Sequence, residues 1–242
     1  MTNQIINIES SPSEIFACFS KYFLSIISKE FRKKNIDEIS SLDYLHEIHF
    51  SKIKFLEKGT DQSTFFHKII YSSFDNEDYL NTNFSKKYAE FALFVLNKLK
   101  VKTNNYEEWA IQRFPTIRFH FPNNISVFEF HRDSDYSHPI GETNCFFALN
   151  ECKDSSALQI ENNLGFEDYK PLNLKPGEYA ILNTSIFKHG DVINLTGKTR
   201  VSMDFRFIPS SLLTKGLNSL TAKKNFSTES YFIKESDLKK IL

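Results

Sequence analysis

The sequence predicts an α+β protein with a mainly antiparallel β core, of sandwich or jelly-roll type, packed by helices from its first half. Three observations lead there. Of seven glycines only Gly59 precedes residue 140, and of seven prolines only Pro12 precedes residue 115, so turn-forming residues crowd into the second half. Before residue 110 the apolar residues recur at helical spacing. From residue 111 onward short alternating runs are separated by turn signals, with no helix pattern between them, which disfavours a parallel, helix-alternating sheet.

The helices come first. Ser13 is expected to cap a helix whose apolar face includes Ile15, Phe16, Phe19, Tyr22, Phe23, Ile26 and Ile27. Glu14 in its first turn and Lys33 and Lys34 near its end suit the helix dipole. A second helix is expected over Ser85–Lys100, with Tyr88, Phe91, Val95 and Leu99 on one face, and a third over Ile36–Leu56. All are expected to pack on a sheet. Candidate strands are 116–121, 125–131, 143–150, 156–162, 178–183, 189–194 and 200–208. Pro122-Asn123-Asn124, Pro139-Ile140-Gly141, Asn162-Asn163, Pro176-Gly177 and Thr196-Gly197 mark turns between them. The expected organisation is one structural domain: a helical part over 1–108, a catalytic β core over 109–209 and a polar tail over 210–242, with a short helix near Glu235–Leu242.

Composition narrows the function. Thirty basic and thirty acidic side chains cancel, so no nucleic-acid or membrane partner is expected. Cys18, Cys145 and Cys152 have no zinc-type spacing, and with no secretion signal in MTNQIINIESS they read as free thiols of a cytoplasmic protein. The longest apolar stretch, Ile15–Ile27, is too short and too interrupted to span a bilayer. Gly197-Lys198-Thr199 ends like a phosphate loop, but its first glycine would fall at Val192 and no helix pattern follows.

Chemistry concentrates in two stretches. His131 and Asp133 lie two apart, and on a strand such residues share a face, where an imidazole and a carboxylate can reach one metal ion. His189 can supply a second imidazole; two histidines and one carboxylate make the facial triad of non-haem iron sites. Eleven residues after His189 comes Arg200, in a run whose alternation puts Arg200, Ser202, Asp204 and Arg206 on one face and Val201, Met203, Phe205 and Phe207 on the other. A guanidinium buried there needs a partner, and its fork matches a carboxylate, so a bound dicarboxylate is one candidate.

His-x-Asp, a distal His and then Arg-x-Ser resembles the iron(II)/2-oxoglutarate-dependent dioxygenase superfamily. Glu142-Thr-Asn144 and the run from His189-Gly190 through Asn194-Leu-Thr-Gly-Lys-Thr-Arg200 to Arg206 are similar to its streptomycin-biosynthesis type and, more distantly, to phytanoyl-CoA hydroxylases. The resemblance covers about residues 110–209. It implies a double-stranded β-helix with helices outside, Fe(II) on His131, Asp133 and His189, and the distal carboxylate of 2-oxoglutarate on Arg200 and Ser202. It implies O2 as co-reactant and Asn144 as a contact to cosubstrate or substrate. The aspartate in the triad argues against halogenase chemistry. The expected activity is hydroxylation of a small polar metabolite: a sugar, aminoglycoside, nucleoside or amino-acid derivative. The alternatives are a protein or peptide side-chain hydroxylase, and a non-catalytic metal or carboxylate-binding module on the same fold. A zinc hydrolase would leave Arg200 and Ser202 without a task.

Other polar residues have several readings. Asp135 and His138 are expected to meet substrate or solvent, and His120 to face the pocket. Arg113 and Arg118 read as braces for neighbouring acids. Arg206 reads as an ion-pair partner of Asp204 or another acid. Trp109 and Tyr136 read as core or pocket wall. Neither substrate identity nor oligomeric state is legible.

Overall fold

The computed structural model describes residues 5–34, 39–52, 64–74, 82–126, 129–213 and 225–242. Ten strands and five α-helices are found among them: β1 Ile5–Ser10, α1 Ser13–Arg32, α2 Leu45–Lys52, α3 Phe65–Phe74, α4 Asn83–Thr103, β2 Trp109–Gln112, β3 Thr116–His120, β4 Thr143–Ala148, β5 Gln159–Glu161, β6 Tyr169–Pro171, β7 Glu178–Leu182, β8 His189–Gly190, β9 Arg200–Pro209, β10 Phe232–Lys234 and α5 Glu235–Leu238.

The strands form two antiparallel sheets. The larger runs β1-β7-β4-β9-β2-β10, and β3 also pairs with β9. β9 is long enough to hold two partners on one edge: its start pairs with β3 (Met203 opposite Ile117) and its end with β2 (Phe207 opposite Ile111). Pro115, between β2 and β3, lacks the N–H that a continuous strand would use. The smaller sheet runs β6-β5-β8.

Alternation along the strands sorts the two faces. Phe147 on β4, Tyr179 on β7 and Phe205 on β9 turn toward the helices, joining Phe19, Phe23, Phe84 and Phe91 in one buried cluster. Phe91 meets Phe147 edge-on at 5.0 Å and Tyr88 meets Phe205 at 5.1 Å. Edge-to-face rings of this kind add to the large apolar area each removes from water. Phe146, Ala148, Ala180 and Leu182 turn the other way, against Leu158, Ile160, Leu172 and Phe187 of the smaller sheet and its loops. The polar side chains of β9 lie on this second face, between the sheets.

The two long helices fall where the periodicity predicts. The cap of α1 differs: Pro12 is its N-cap, with no side-chain cap, and Ser13 is the first helical residue. The carbonyl of Pro12 accepts from the N–H groups of Ile15 and Phe16 instead. α4 starts from Thr82, whose Oγ1 accepts from Ser85 N at 3.1 Å, and ends at Asn104 with a φ of 51°. Of the helix predicted over 36–56, α2 occupies 45–52; residues 35–38 and 53–63 lie outside the described residues.

Four strands escape the sequence pattern: β1, β2, β6 and β10. β1 pairs with β7 and β10 with β2, so segments near both ends of the described chain join the larger sheet. The strand predicted over 125–131 is not formed in its described part: only His131 makes a β-bridge, and 127–128 lie outside the described residues. The strand predicted over 189–194 stops at Gly190. Among the described residues no helix is long and apolar enough to cross a membrane.

Candidate metal centre

His131 and His189 face each other across a single antiparallel bridge. His131 N donates to His189 O at 3.0 Å and His189 N to His131 O at 2.9 Å. Residues opposed in this way present side chains on one side of the ladder, and the two rings lie 4.5 Å apart. Asp133 reaches them by a different route from the strand alternation expected. It opens a 3-10 turn, Asp133–Tyr136, after the extended Arg132. Thr184 holds it twice: Asp133 N donates to Thr184 O at 2.9 Å, and Thr184 Oγ1 donates to Asp133 Oδ2 at 2.6 Å.

The hydrogen bonds set the tautomers. His131 Nδ1 lies 2.8 Å from the carbonyl of Glu129, and His189 Nδ1 lies 3.4 Å from that of Phe187. A carbonyl only accepts, so each Nδ1 carries the hydrogen and each neutral ring keeps a lone pair on Nε2. Both Nε2 atoms face Asp133 Oδ1, at 4.0 Å from His131 and 3.7 Å from His189. The three residues offer donor atoms that all lie within 4.8 Å of one another.

The electrostatics keep these groups in ligand form. Burial lowers the His189 imidazole most, with the nearby His131 adding to it; Asp133 opposes them, and the result is a pKa of about 4. Burial alone would raise Asp133, but Arg206, then His189 and His138, outweigh it and hold the carboxyl well below its usual value. Around neutral pH Asp133 is therefore a carboxylate, and His189 has no proton to displace. Three facial donors around an ion with bonds of about 2.1 Å lie roughly 3.0 Å apart. The Asp133 oxygen stands 3.7 and 4.0 Å from the two imidazoles, so the three side chains would draw in around an ion.

One pocket joins this cluster to the polar face of β9. His131 and His189 line it together with Arg118, Arg200 and Arg206, the acids Asp191 and Asp204, and Asn144, with Phe146 and Leu158 as apolar wall. Arg200 lies over the Phe146 ring and donates from Nη1 to Ser202 Oγ at 3.3 Å. Asn144 is buried, and its Oδ1 has no hydrogen-bond partner among the described residues. The two imidazoles and the guanidinium that the family resemblance assigns to cosubstrate thus line one pocket.

No family model matches the chain. The streptomycin biosynthesis protein StrG of Streptomyces griseus is 33% identical over 154 residues, 64% of this chain and 67% of that protein. The chain belongs to the family of this streptomycin biosynthesis protein. Solved structures give distant likenesses. AviO1 from Streptomyces viridochromogenes Tue57 is 11% identical, with 87% of this chain and 92% of that one covered and a TM-score of 0.47. CytC3 with Fe(II) and alpha-ketoglutarate is 13% identical, with 87% and 72% covered and a TM-score of 0.42. At TM-scores below 0.5 neither likeness carries weight for the fold or the site.

Relative to this family pattern, the surroundings of the triad hold residues that the sequence did not single out. Asp191 donates nothing and accepts from Arg200 Nη2 at 2.9 Å. Its signal was present, two residues after His189, but the fold was needed to bring it to Arg200. Thr184 and Gln112 are likewise unmarked in sequence. Arg206 is an ion-pair residue, as read from the sequence, but with more partners than Asp204: it also reaches Asp133, Glu142, Gln112 and Tyr231.

Other expectations need correction. His138 is buried and pairs with Glu142 Oε1 at 2.8 Å, packed on Phe226, rather than meeting solvent. His120 is buried behind the pocket, 2.9 Å from the Asn124 carbonyl. Asp135, by contrast, is exposed as expected and accepts from Arg132 N. Arg118 braces Asp204 at 3.2 Å, as expected, whereas Arg113 binds the carbonyls of Thr228 and Phe232 rather than an acid. Trp109 is buried in the helical core, and Tyr136 sets its ring edge-on to His131 at 4.9 Å.

Proposed function

We propose that this protein is a hydroxylase that uses iron(II), 2-oxoglutarate and O2 to act on a small polar metabolite, such as a sugar, aminoglycoside, nucleoside or amino-acid derivative. The observation that carries the reading is the convergence of two imidazole Nε2 atoms on Asp133 Oδ1, in a pocket that Arg200 also lines. His131, Asp133 and His189 hold the metal. Arg200 and Ser202 hold the distal carboxylate of 2-oxoglutarate. Asn144, with its partnerless buried oxygen, contacts cosubstrate or substrate. Bound together, the metal and cosubstrate supply oxygen insertion into a substrate C–H bond while 2-oxoglutarate is converted to succinate and carbon dioxide. The chain's own residues orient the ligands, neutralise the carboxylate and keep the cavity dry, through Phe146 and Leu158.

A polar lining of three arginines, two aspartates and an asparagine favours a small substrate rich in hydrogen-bonding groups. The balanced charge gives no support for a nucleic-acid or membrane partner. The sheets are read as a double-stranded β-helix. From β3 the chain alternates between the larger and smaller sheets, with β4, β7 and β9 in the first and β5, β6 and β8 in the second, and the His131–His189 bridge adds an edge to the second. The pairing of β1 with β7 and of β10 with β2 supports one structural domain in which 1–108 and 210–242 flank the core at 109–209.

The test is a turnover panel. Iron(II)-loaded protein with ascorbate and 2-oxoglutarate is offered sugars, aminoglycosides, nucleosides and amino-acid derivatives while succinate is measured. Substrate-stimulated succinate, absent in His131→Ala, supports the reading. Metal-loaded, folded protein that yields none with any member contradicts it.

A further inference from the structure

Arg200, the side chain assigned to the cosubstrate's distal carboxylate, already has a carboxylate partner. Its Nη2 donates to Asp191 Oδ2 at 2.9 Å, and both side chains are 1% exposed. The contact uses one corner only. Nη1 turns to Ser202 Oγ at 3.3 Å, and Nη2 also reaches Ser126 Oγ at 3.4 Å. Arg200 Nε and Asp191 Oδ1 have no hydrogen-bond partner among the described residues. A guanidinium has five N–H donors and normally meets a carboxylate through two parallel bonds. The Arg200–Asp191 pair is half of such an arrangement, which leaves donors on Arg200 for a second carboxylate but cancels most of its charge.

We propose that Asp191 is a specificity residue of the cosubstrate seat: its carboxylate competes with the distal carboxylate of 2-oxoglutarate for Arg200. The proposal rests on the reading that Arg200 binds that carboxylate. Two carboxylates gathered on one buried guanidinium repel each other, and low local polarity strengthens the repulsion. Asp191 is buried against Arg200, two residues beyond His189, and lines the same pocket. The preceding Gly190 packs so closely on Phe130 that even a methyl group there would lie 3.2 Å from it. Asp191 therefore weakens every ligand that brings a second carboxylate, including the succinate left after turnover, and leaves oxo acids without one unaffected. A seat weakened in this way releases succinate sooner.

Asp191→Asn keeps an oxygen acceptor toward Arg200 and removes the charge; Asp191→Ser removes charge and bulk, and keeps the test open if the amide disturbs packing. The full-length protein and both variants are loaded anaerobically with iron(II), checked for folding by thermal melting, and titrated with 2-oxoglutarate, with 2-oxobutanoate, which has no distal carboxylate, and with succinate in competition. Charge removal should tighten 2-oxoglutarate and succinate by about tenfold or more and leave 2-oxobutanoate within about twofold. Unchanged or weaker 2-oxoglutarate binding in folded variants overturns the proposal, as does an equal shift for both oxo acids, which marks a merely structural effect. Wild-type protein that binds iron but neither oxo acid overturns the cosubstrate reading itself, and this inference with it.

Discussion

Arg206 grips Asp133 through three contacts: Nη2 to Oδ1 at 3.2 Å, and Nη2 and Nε each to Oδ2 at 3.3 Å. Thr184 Oγ1 takes Oδ2 as well, so Asp133 Oδ1 is the oxygen left facing the two imidazoles. Arg206 also meets Glu142 at 3.0 Å and Asp204 at 3.3 Å. One buried cation thus orients a proposed metal ligand and offsets three carboxylates. Partners behind a ligand typically change metal affinity by about 10–100-fold when removed.

Thr184→Val separates orientation from charge. It deletes the short hydrogen bond to Asp133 and nothing else in the ion network. Metal affinity, measured by manganese(II) or cobalt(II) titration, should fall by about tenfold, with the melting temperature of the metal-free protein nearly unchanged. Arg206→Met should do more. It removes the cation shared by buried Asp133, Glu142 and Asp204, which keep Thr184, His138 and Arg118 as partners, and the loss should be on the order of 3 kcal/mol of folding stability, read by denaturant melts. Equal metal affinity in wild type and Thr184→Val would contradict the orienting role.

Metal binding should stabilise the fold by mass action, since the donors come from segments distant in sequence. Divalent manganese at a hundredfold excess over its dissociation constant should add about 2.7 kcal/mol and raise the melting temperature. His131→Ala and His189→Ala should remove that increment while changing the metal-free melt less.

Acid should destabilise the metal-free protein before its carboxylates titrate. Burial lowers His67 most, with Arg118 adding to it, to a pKa of about 3, and His189 stands at about 4. Unfolded imidazoles bind protons near pH 6.5, so from about 6.5 down to 4 the unfolded state takes up protons that the folded state refuses. Stability is full above that window and declines through it, by on the order of 1.4 kcal/mol per pH unit for each such imidazole. His67→Gln should flatten the decline; an unchanged slope would show that His67 is protonated in the fold.

Lys100 on α4 and Glu235 on α5 pair at 2.5 Å with little exposure, tying the end of the described chain to the helical layer. Lys100→Met alone should cost about 1–3 kcal/mol, because Glu235 keeps only Lys239. Lys100→Met with Glu235→Leu should recover most of it, in thermal melts.

The legible parts of the sequence were those fixed by local periodicity. The apolar faces of α1 and α4 and the alternation of β9, with Arg200, Ser202, Asp204 and Arg206 opposite Val201, Met203, Phe205 and Phe207, follow from side-chain spacing, and the structure bears them out. The short strands β1, β2 and β10 owe their form to pairing with remote partners, which no local pattern records, and β6 to a three-residue pairing with the neighbouring β5. The donor residues were legible as types and spacing. Their assembly was not: Asp133 is set by Thr184 rather than by strand alternation, and Asp191 meets Arg200 only once the chain has turned back between the two stretches.

The proposed activity requires that His131, Asp133 and His189 hold iron(II) in reach of a 2-oxo acid anchored by Arg200. The most direct measurement is an anaerobic titration of the iron(II)-loaded protein with 2-oxoglutarate, watching for the weak visible charge-transfer band of the chelate. A saturable band is expected, absent in His131→Ala and shifted to higher 2-oxoglutarate concentrations in Arg200→Ala. Folded, iron-loaded protein that shows no band, or a band indifferent to both substitutions, would contradict it.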